Sequence, residues 1–300
     1  MLNITILGNN SALPAFGRFP TSQVLQDQDN SFLIDCGEGT QMQMARYKIK
    51  RSKISHIFIS HLHGDHYFGL IGLITSMGLL GRTQDLHIFG PALLDDIIQI
   101  QLKSADILLP YPIYFHPLLE EGKVADTNKM TVETFKVDHR IECWGFLFKE
   151  KKNPRTVDPE RAKAYEIPSS FYSQLHKGED YITKKGTIIP NESVTIANSA
   201  AKSYAYCADT IFDTRLVEIV KGVDLLYHET TYLKDMEQKA KDRYHCTTEQ
   251  AATIAKQAGV KQLMIGHFSS KYDNLDQFLI EAKAVFENTI LAIDGSCYKI

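Results

Sequence analysis

No apolar run in this sequence approaches the roughly 18 residues of a membrane-spanning helix, and the opening Met1-Leu-Asn-Ile-Thr-Ile6 has no basic stretch leading into an apolar one. A cytoplasmic location with no membrane partner is the expectation. Cysteine is scarce: Cys36, Cys143, Cys207, Cys246 and Cys297 make an odd number with no C-x-x-C pair. That argues against a disulfide framework and a thiolate zinc site and leaves reduced, mostly buried thiols. Excess positive charge is also lacking, with 33 Lys and Arg against 36 Asp and Glu, so any nucleic-acid contact must come from local patches. Neither a Walker-type glycine loop nor a Rossmann fingerprint occurs, which weakens readings built on a nucleotide cofactor or hydride transfer. The remaining composition, 44% hydrophobic and 23% charged over 300 residues, is that of a globular chain with enough apolar side chains for a sizeable core.

Runs rich in β-branched and aromatic residues predict strands at 4–7, 31–34, 56–60, 87–89, 131–137, 144–148, 204–207, 223–227, 262–265 and 289–293. Helical periodicity lies between many of them, at 40–47, 67–80, 91–104, 248–258 and 276–286. This alternation predicts an α/β fold with layered sheets, one domain spanning 1–300. Residues 149–198 break the rhythm: they are rich in Lys and Arg, carry prolines, and offer one clear helix at 159–165. The stretch reads as a protruding arm or insertion.

The sharpest local feature is Ile57-Phe-Ile-Ser-His61-Leu-His63-Gly-Asp65-His66, where His61, His63, Asp65 and His66 fall within six residues directly after an apolar strand. Isolated hydrogen-bonding histidines have no reason to gather there. Imidazole and carboxylate donors suit zinc, and equally accept manganese or iron. A strand-end loop lets them converge, with Gly64 permitting a tight turn. Three more residues occupy the same position relative to an apolar run: His139 after Phe135-Lys-Val-Asp138, Asp209 after Tyr204-Ala-Tyr-Cys-Ala208, and His267 after Leu263-Met-Ile-Gly266. If these strands share sheets, five imidazoles and two carboxylates meet on one rim, the inventory of a dinuclear site. Two divalent cations among two carboxylates keep residual positive charge for an anionic substrate, and the natural chemistry of such a pair is phosphoester hydrolysis.

These residues resemble the metallo-β-lactamase superfamily, through H-x-H-x-D-H followed by His, Asp and His. Within it the sequence is most similar to the ribonuclease Z family. The likeness runs through Phe32-Leu-Ile-Asp-Cys-Gly-Glu-Gly-Thr-Gln41, the segment from Lys53 to Leu70, Asp138-His139-Arg140, Ala208-Asp209-Thr210, Tyr227-His-Glu-Thr230, Tyr244-His245-Cys-Thr-Thr248 and Gly266-His267-Phe-Ser-Ser270. The resemblance implies a four-layer αβ/βα sandwich holding two Zn2+ per chain. One zinc would sit on His61, His63 and His139, the other on Asp65, His66 and His267, with Asp209 bridging. It further implies a zinc-dependent endoribonuclease that removes 3′ trailers from precursor tRNA, leaves a 3′-hydroxyl, and works as a homodimer. Asp65 would orient or deprotonate the nucleophile. His245, positioned by Glu229, would support the transition state or protonate the leaving group.

His245 also stands out on its own, beside the helix-start pattern Thr247-Thr-Glu249 and away from the ligand segments; it reads either as an unmetallated acid or as a packing residue. Glu229 reads either as its partner or as a solvated strand-end carboxylate. Arg46-Tyr-Lys48-Ile-Lys50-Arg51-Ser-Lys53 is either a phosphate contact or a solvated helix end. The arm carries Pro168-Ser-Ser-Phe171 where the family has a Gly-Pro element, and the loop from Asn9 to Ser22 lacks the family's Arg-Asn pair. Two other activities fit the same ligands: a small-molecule phosphodiesterase of the same superfamily, and a noncatalytic RNA-binding protein with a structural metal centre.

Overall fold

The computed structural model describes residues 2–27 and 30–300. They form two compact units, one of Met1–Ala125, Val132–Phe148 and Ser203–Ile300, the other of Asp126–Thr131 and Lys149–Lys202.

The larger unit is built on two seven-stranded sheets. The first runs in the order Cys297–Lys299, Asn3–Gly8, Ser22–Gln26, Ser31–Cys36, Ile54–Phe58, Leu86–Gly90, Ile113–Pro117. Its first four strands pair antiparallel and the last four parallel, with Ser31–Cys36 common to both. The second runs Thr289–Leu291, Gln262–Gly266, Leu225–Glu229, Ser203–Cys207, Cys143–Glu150, Met130–Val137, Gly122–Asp126. Its strands from Ser203–Cys207 to Thr289–Leu291 are parallel neighbours.

Central strands of the first sheet are buried on both faces, so they read as near-continuous apolar runs, and the two-residue period sorts their side chains. Leu33, Ile57 and Ile88 pack in one core with Leu73, Met77 and Ile98 of the helices Leu70–Leu79 and Leu93–Ser104. Phe32 and Phe58, on the opposite face, meet Phe148 of the second sheet at ring separations of 6.0 and 5.3 Å. The helices Leu216–Ile219, Thr248–Ala258 and Asp276–Val285 pack together on the second sheet. Helices, sheet, sheet and helices thus follow one another, as an αβ/βα sandwich requires.

Within the two large sheets four strands escaped the sequence reading, Ser22–Gln26, Ile113–Pro117, Gly122–Asp126 and Cys297–Lys299, as did the short pair Asn10–Ser11 and Phe268–Ser269. Three of the four are polar, proline-terminated or at sheet edges, where the apolar signal fades; Ser22–Gln26 is central but carries glutamines. The helix expected over 67–80 is two, Gly64–Tyr67 and Leu70–Leu79. The break is at Gly69, whose N–H donates to the Cys36 carbonyl at 2.8 Å and whose absent Cβ would stand 2.2 Å from the Gly37 carbonyl oxygen. Gly64 is needed for space and not for a positive φ: a Cβ there would meet the Phe68 ring at 2.1 Å.

The smaller unit has more structure than the single helix expected in 149–198. It contains the antiparallel pairs Arg155–Val157 with Thr195–Ala197 and Tyr181–Ile182 with Ile188–Ile189. Helices Pro159–Ala164, Tyr172–Lys177 and Asn191–Val194 join them. Val157, Ala162, Ile167, Leu175, Ile189 and Val194 form its own small core. Asp158 caps the first helix, accepting from the Glu160 and Arg161 N–H groups.

Asp294 braces the loop that follows the first strand, accepting the Phe19 N–H at Oδ2 (2.9 Å). Its Oδ1 is buried without a hydrogen-bond partner among the described residues. Burial pushes this carboxyl up to about 7, against the pull of the Phe19 N–H and Arg18. The folded chain therefore holds the proton more tightly than the unfolded one, and stability falls as pH rises from about 4 through 7. At about 1.36 kcal/mol per tenfold change in proton affinity, the ionised carboxylate weakens the fold by about 2–4 kcal/mol at pH 8. Asp294→Asn is expected to raise the urea midpoint most at pH 8, by a smaller amount at pH 5, and hardly at all at pH 3.5, below both pKa values; an equal gain at all three pH values would contradict this.

Candidate metal centre

All the predicted ligands lie in the larger unit, at one end of its strands. His61 follows Ile54–Phe58 and His139 follows Met130–Val137; Asp209 follows Ser203–Cys207 and His267 follows Gln262–Gly266. In the second sheet the parallel register pairs Cys207 with His228 and Glu229 with Gly266, so Asp209, Glu229 and His267 emerge side by side. His63, Asp65 and His66 come from the loop and short helix after His61.

Besides an overlapping trio of Asp209, His245 and His267, two main clusters result, in each of which the candidate donor atoms lie within 4.8 Å of one another: His61, His63, His139 and Asp209, and Asp65, His66 and His267. Asp209 stands between them. Its Oδ2 is 3.7 Å from His61 Nε2 and 4.0 Å from His139 Nε2, while its Oδ1 is 3.5 Å from His66 Nε2 and 3.2 Å from His267 Nε2. Each oxygen faces one cluster.

Surrounding hydrogen bonds fix which ring nitrogen carries a proton. His66 Nδ1–H donates to Asp35 Oδ2 at 2.7 Å, and His139 Nδ1–H to the Tyr244 carbonyl at 2.9 Å. Ser60 Oγ–H donates to Asp35 Oδ2 at 2.9 Å, so that hydroxyl accepts from His61 Nδ1–H at 3.0 Å. Thr231 Oγ1–H donates to Glu229 Oε2 at 2.8 Å and accepts from His267 Nδ1–H at 2.9 Å. The other nitrogens are left as lone pairs aimed at one another: His66 Nε2 and His267 Nε2 are 3.3 Å apart, His61 Nε2 and His63 Nδ1 3.0 Å, His139 Nε2 and His63 Nδ1 3.2 Å. Facing lone pairs repel, and the buried Asp209 Oδ1 has no hydrogen-bond partner among the described residues. Cations between them turn both liabilities into bonds, so the donor set fits bound metal.

Electrostatics agree. Burial holds His61, His63 and His139 below the ordinary imidazole range, with His63 at about 4, so they offer lone pairs at neutral pH. Burial also opposes charge on His66, but Asp209, Asp65 and Asp35 outweigh it and raise that ring well above the usual range. That half of the site demands positive charge, whether proton or metal. Asp65 stays ionised, since His66 and His267 overcome its desolvation; its Oδ2 also accepts the Ala12 N–H at 2.6 Å.

A family model described as Anti-Pycsar protein Apyc1 matches residues 2–158, the half that carries H-x-H-x-D-H. A ribonuclease Z of Bacteroides fragilis (strain YCH46) is 46% identical over 297 residues, covering 98% of both chains. The chain belongs to the ribonuclease Z family. Among solved structures, human tRNase Z, short form, superposes with a TM-score of 0.74 at 26% identity, covering 99% of each chain. A metallo-β-lactamase fold protein of Bacillus subtilis gives 0.69 at 19% identity, covering 99% of this chain and 98% of that one. The fold is the metallo-β-lactamase αβ/βα sandwich.

In this ribonuclease Z family member a cavity of about 400 Å3 opens beside the clusters, lined by His63, Asp65, Asp209 and His245 from the site and by Ala12 and Pro14 from the early loop. No residue of the basic segment from Arg46 to Lys53 lines it. His245 belongs to the site without joining either main cluster. Its Nδ1–H donates to Glu229 Oε1 at 3.1 Å. Glu229 is fully buried, not solvated, and also accepts the Cys246 N–H at 2.7 Å and the Thr231 N–H at 2.8 Å. Burial opposes charge on His245, but Glu229 and Asp209 outweigh it and raise its pKa above the ordinary imidazole value.

The residues that hold the ligands were the ones the sequence reading left without roles: Asp35, Ser60, Thr231 and the Tyr244 carbonyl. Asp35 alone accepts from Ser60 N–H (2.7 Å), Ser60 Oγ, His66 Nδ1 and Tyr206 Oη (2.6 Å). A usable signal existed in Asp35, a carboxylate closing an otherwise apolar strand. Asp35, Tyr244 and His267 all have positive φ, at 55, 59 and 61°, a conformation that disfavours non-glycine residues and gathers at functional sites.

Proposed function

We propose that the chain is a metal-dependent endoribonuclease that cleaves the 3′ trailer from precursor tRNA and leaves a 3′-hydroxyl on the tRNA body. The observation that carries this reading is the pair of donor clusters with Asp209 between them, in a chain 46% identical over nearly its whole length to a ribonuclease Z. In this reading His61, His63 and His139 hold one Zn2+, Asp65, His66 and His267 hold the second, and Asp209 serves both. Two such cations, when bound, supply Lewis acidity toward a phosphate and a water of lowered pKa.

The chain's own groups account for the rest. Asp65, ionised and fixed by the Ala12 N–H, accepts a proton from the attacking water or orients it. The water oxygen forms the new P–O bond while the bond from phosphorus to the ribose 3′ oxygen breaks. His245 gives that oxygen its proton, with Glu229 holding the ring through Nδ1 and leaving Nε2 for transfer. Glu229 is therefore a positioning residue. The smaller unit, rich in Lys and Arg, is the arm that grips tRNA. The same reading includes a homodimer.

The test is incubation of metal-analysed protein with 3′-extended precursor tRNA, mapping product ends beside an Asp65→Ala control. Metal-dependent cleavage at the discriminator nucleotide, with a 3′-hydroxyl and loss in the variant, is expected. A second reading, hydrolysis of a small phosphodiester, is favoured by the cavity, whose volume of about 400 Å3 suits a single nucleotide. Intact precursor together with rapid hydrolysis of bis(p-nitrophenyl) phosphate would select it.

A further inference from the structure

His245 lines two cavities. Besides the one it shares with Asp65 and Asp209, it borders a second of about 540 Å3, whose wall is Ile211, Phe212, Glu237, Gln238, Lys241 and Gln250. None of these six takes part in the chemistry above. We propose that this second cavity is a nucleotide subsite that receives the nucleoside whose 3′ oxygen leaves, the last residue of the tRNA body, with Phe212 stacking on its base and Lys241 facing its 5′ phosphate.

The inference rests on the endonuclease reading and follows from the direction of displacement. In an in-line reaction the entering water and the departing oxygen lie on opposite sides of phosphorus. Water enters on the side of Asp65 and the donor clusters. The departing oxygen must meet the proton donor, His245, and the nucleoside attached to that oxygen continues past the imidazole, away from the clusters. The second cavity shares His245 with the first and has none of the predicted metal ligands in its wall, which makes it the space we assign to that nucleoside.

Its lining suits a nucleotide. Phe212 is half-buried beside Ile211 at the start of the loop after Asp209, and an aromatic face receives any base, since every base has a π-face. Lys241 is exposed, and no ion pair with it occurs among the described residues, which leaves its ammonium available to a phosphate. Gln250 is otherwise occupied: its side chain accepts the Thr247 N–H and donates to Glu237. It thereby shapes the wall without being offered as a reader of base edges. A stacking platform with one cation and no free base-reading amide predicts tolerance of all four bases, as a processing enzyme acting on many tRNAs needs.

The test is a cycle between protein and substrate. Wild type, Phe212→Ala, Phe212→Tyr and Lys241→Gln are assayed on two precursor tRNAs, one intact and one with an abasic ribose at the discriminator position. Metal content and thermal midpoint serve as controls for folding. Phe212→Ala is expected to lower kcat/KM on the intact precursor roughly tenfold, with Phe212→Tyr restoring it. Removing the base should cost wild type the same factor and the alanine variant almost nothing further. Lys241→Gln should raise KM and flatten its dependence on salt. Losses from Phe212→Ala and from the abasic ribose that simply multiply would overturn the subsite while leaving the endonuclease reading intact. A wild-type protein that leaves both precursors uncut would overturn the two together.

Discussion

Replacing Asp209 by alanine is expected to strip metal from the protein and to lower turnover of precursor tRNA by at least about 10³-fold, more than the removal of a single hydrogen-bonding donor costs at an active site. Its two oxygens face separate clusters, Oδ1 within 3.5 Å of His66 and His267 and Oδ2 within 4.0 Å of His61 and His139. In the two-metal reading its loss would take one negative charge from between the two cations and leave them in unscreened repulsion in a buried site. Metal per chain, measured by atomic emission after gel filtration, should drop from two to one or fewer. Asp209→Asn, which keeps the volume and one donor oxygen, separates this from misfolding: it should retain the wild-type thermal midpoint in chelator yet still bind less metal. Either variant keeping two metals and near-normal turnover would remove Asp209 from its place between the clusters.

The second large effect belongs to His245, whose removal should act on rate and not on occupancy. His245→Ala is expected to lower kcat about 10² to 10⁴-fold, the usual worth of a positioned proton donor, with metal content intact and KM within a few-fold. Because Glu229 acts through that ring, Glu229→Gln should cost less alone and almost nothing further in the His245→Ala background. The neutral amide keeps the side-chain volume among Thr231, Cys246 and His245, so the comparison tests coupling and not a cavity. If His245→Ala reduced metal content or moved only KM, the ring would be a ligand or a binding group and the assignment of proton transfer would fail.

What made the site legible was its locality. His61, His63, Asp65 and His66 share one loop, and the rule that candidate donors follow apolar strands picked out His139, Asp209 and His267, which the fold gathers beside them although His66 and His267 are 201 positions apart. The supporting residues lacked such a pattern. Ser60 and Thr231 are ordinary hydroxyls until the fold places one behind His61 and the other behind His267, and the part of Tyr244 that matters is a carbonyl, which no side-chain motif encodes. Position alone leaves Glu229 open between a partner of His245 and a solvated carboxylate because burial at a strand end is a tertiary fact: the segment after it turns back and supplies the Cys246 N–H. The arm was underestimated for a related reason. Its core rests on a few residues such as Val157, Leu175 and Val194 spaced too irregularly for periodicity to register.

The closeness of the four ligands between His61 and His66 has a further consequence, for the denatured chain. A segment that needs only six residues to present three imidazoles and a carboxylate can chelate before any sheet exists, so the unfolded ensemble competes for the same ions. Linkage then credits the native state only with the difference between its affinity and that of the loop. Metal should raise the unfolding free energy by less than the affinity of the folded protein implies. Refolding in excess metal should start from an ensemble with that short loop already closed, while His139, Asp209 and His267 arrive only as the second sheet assembles.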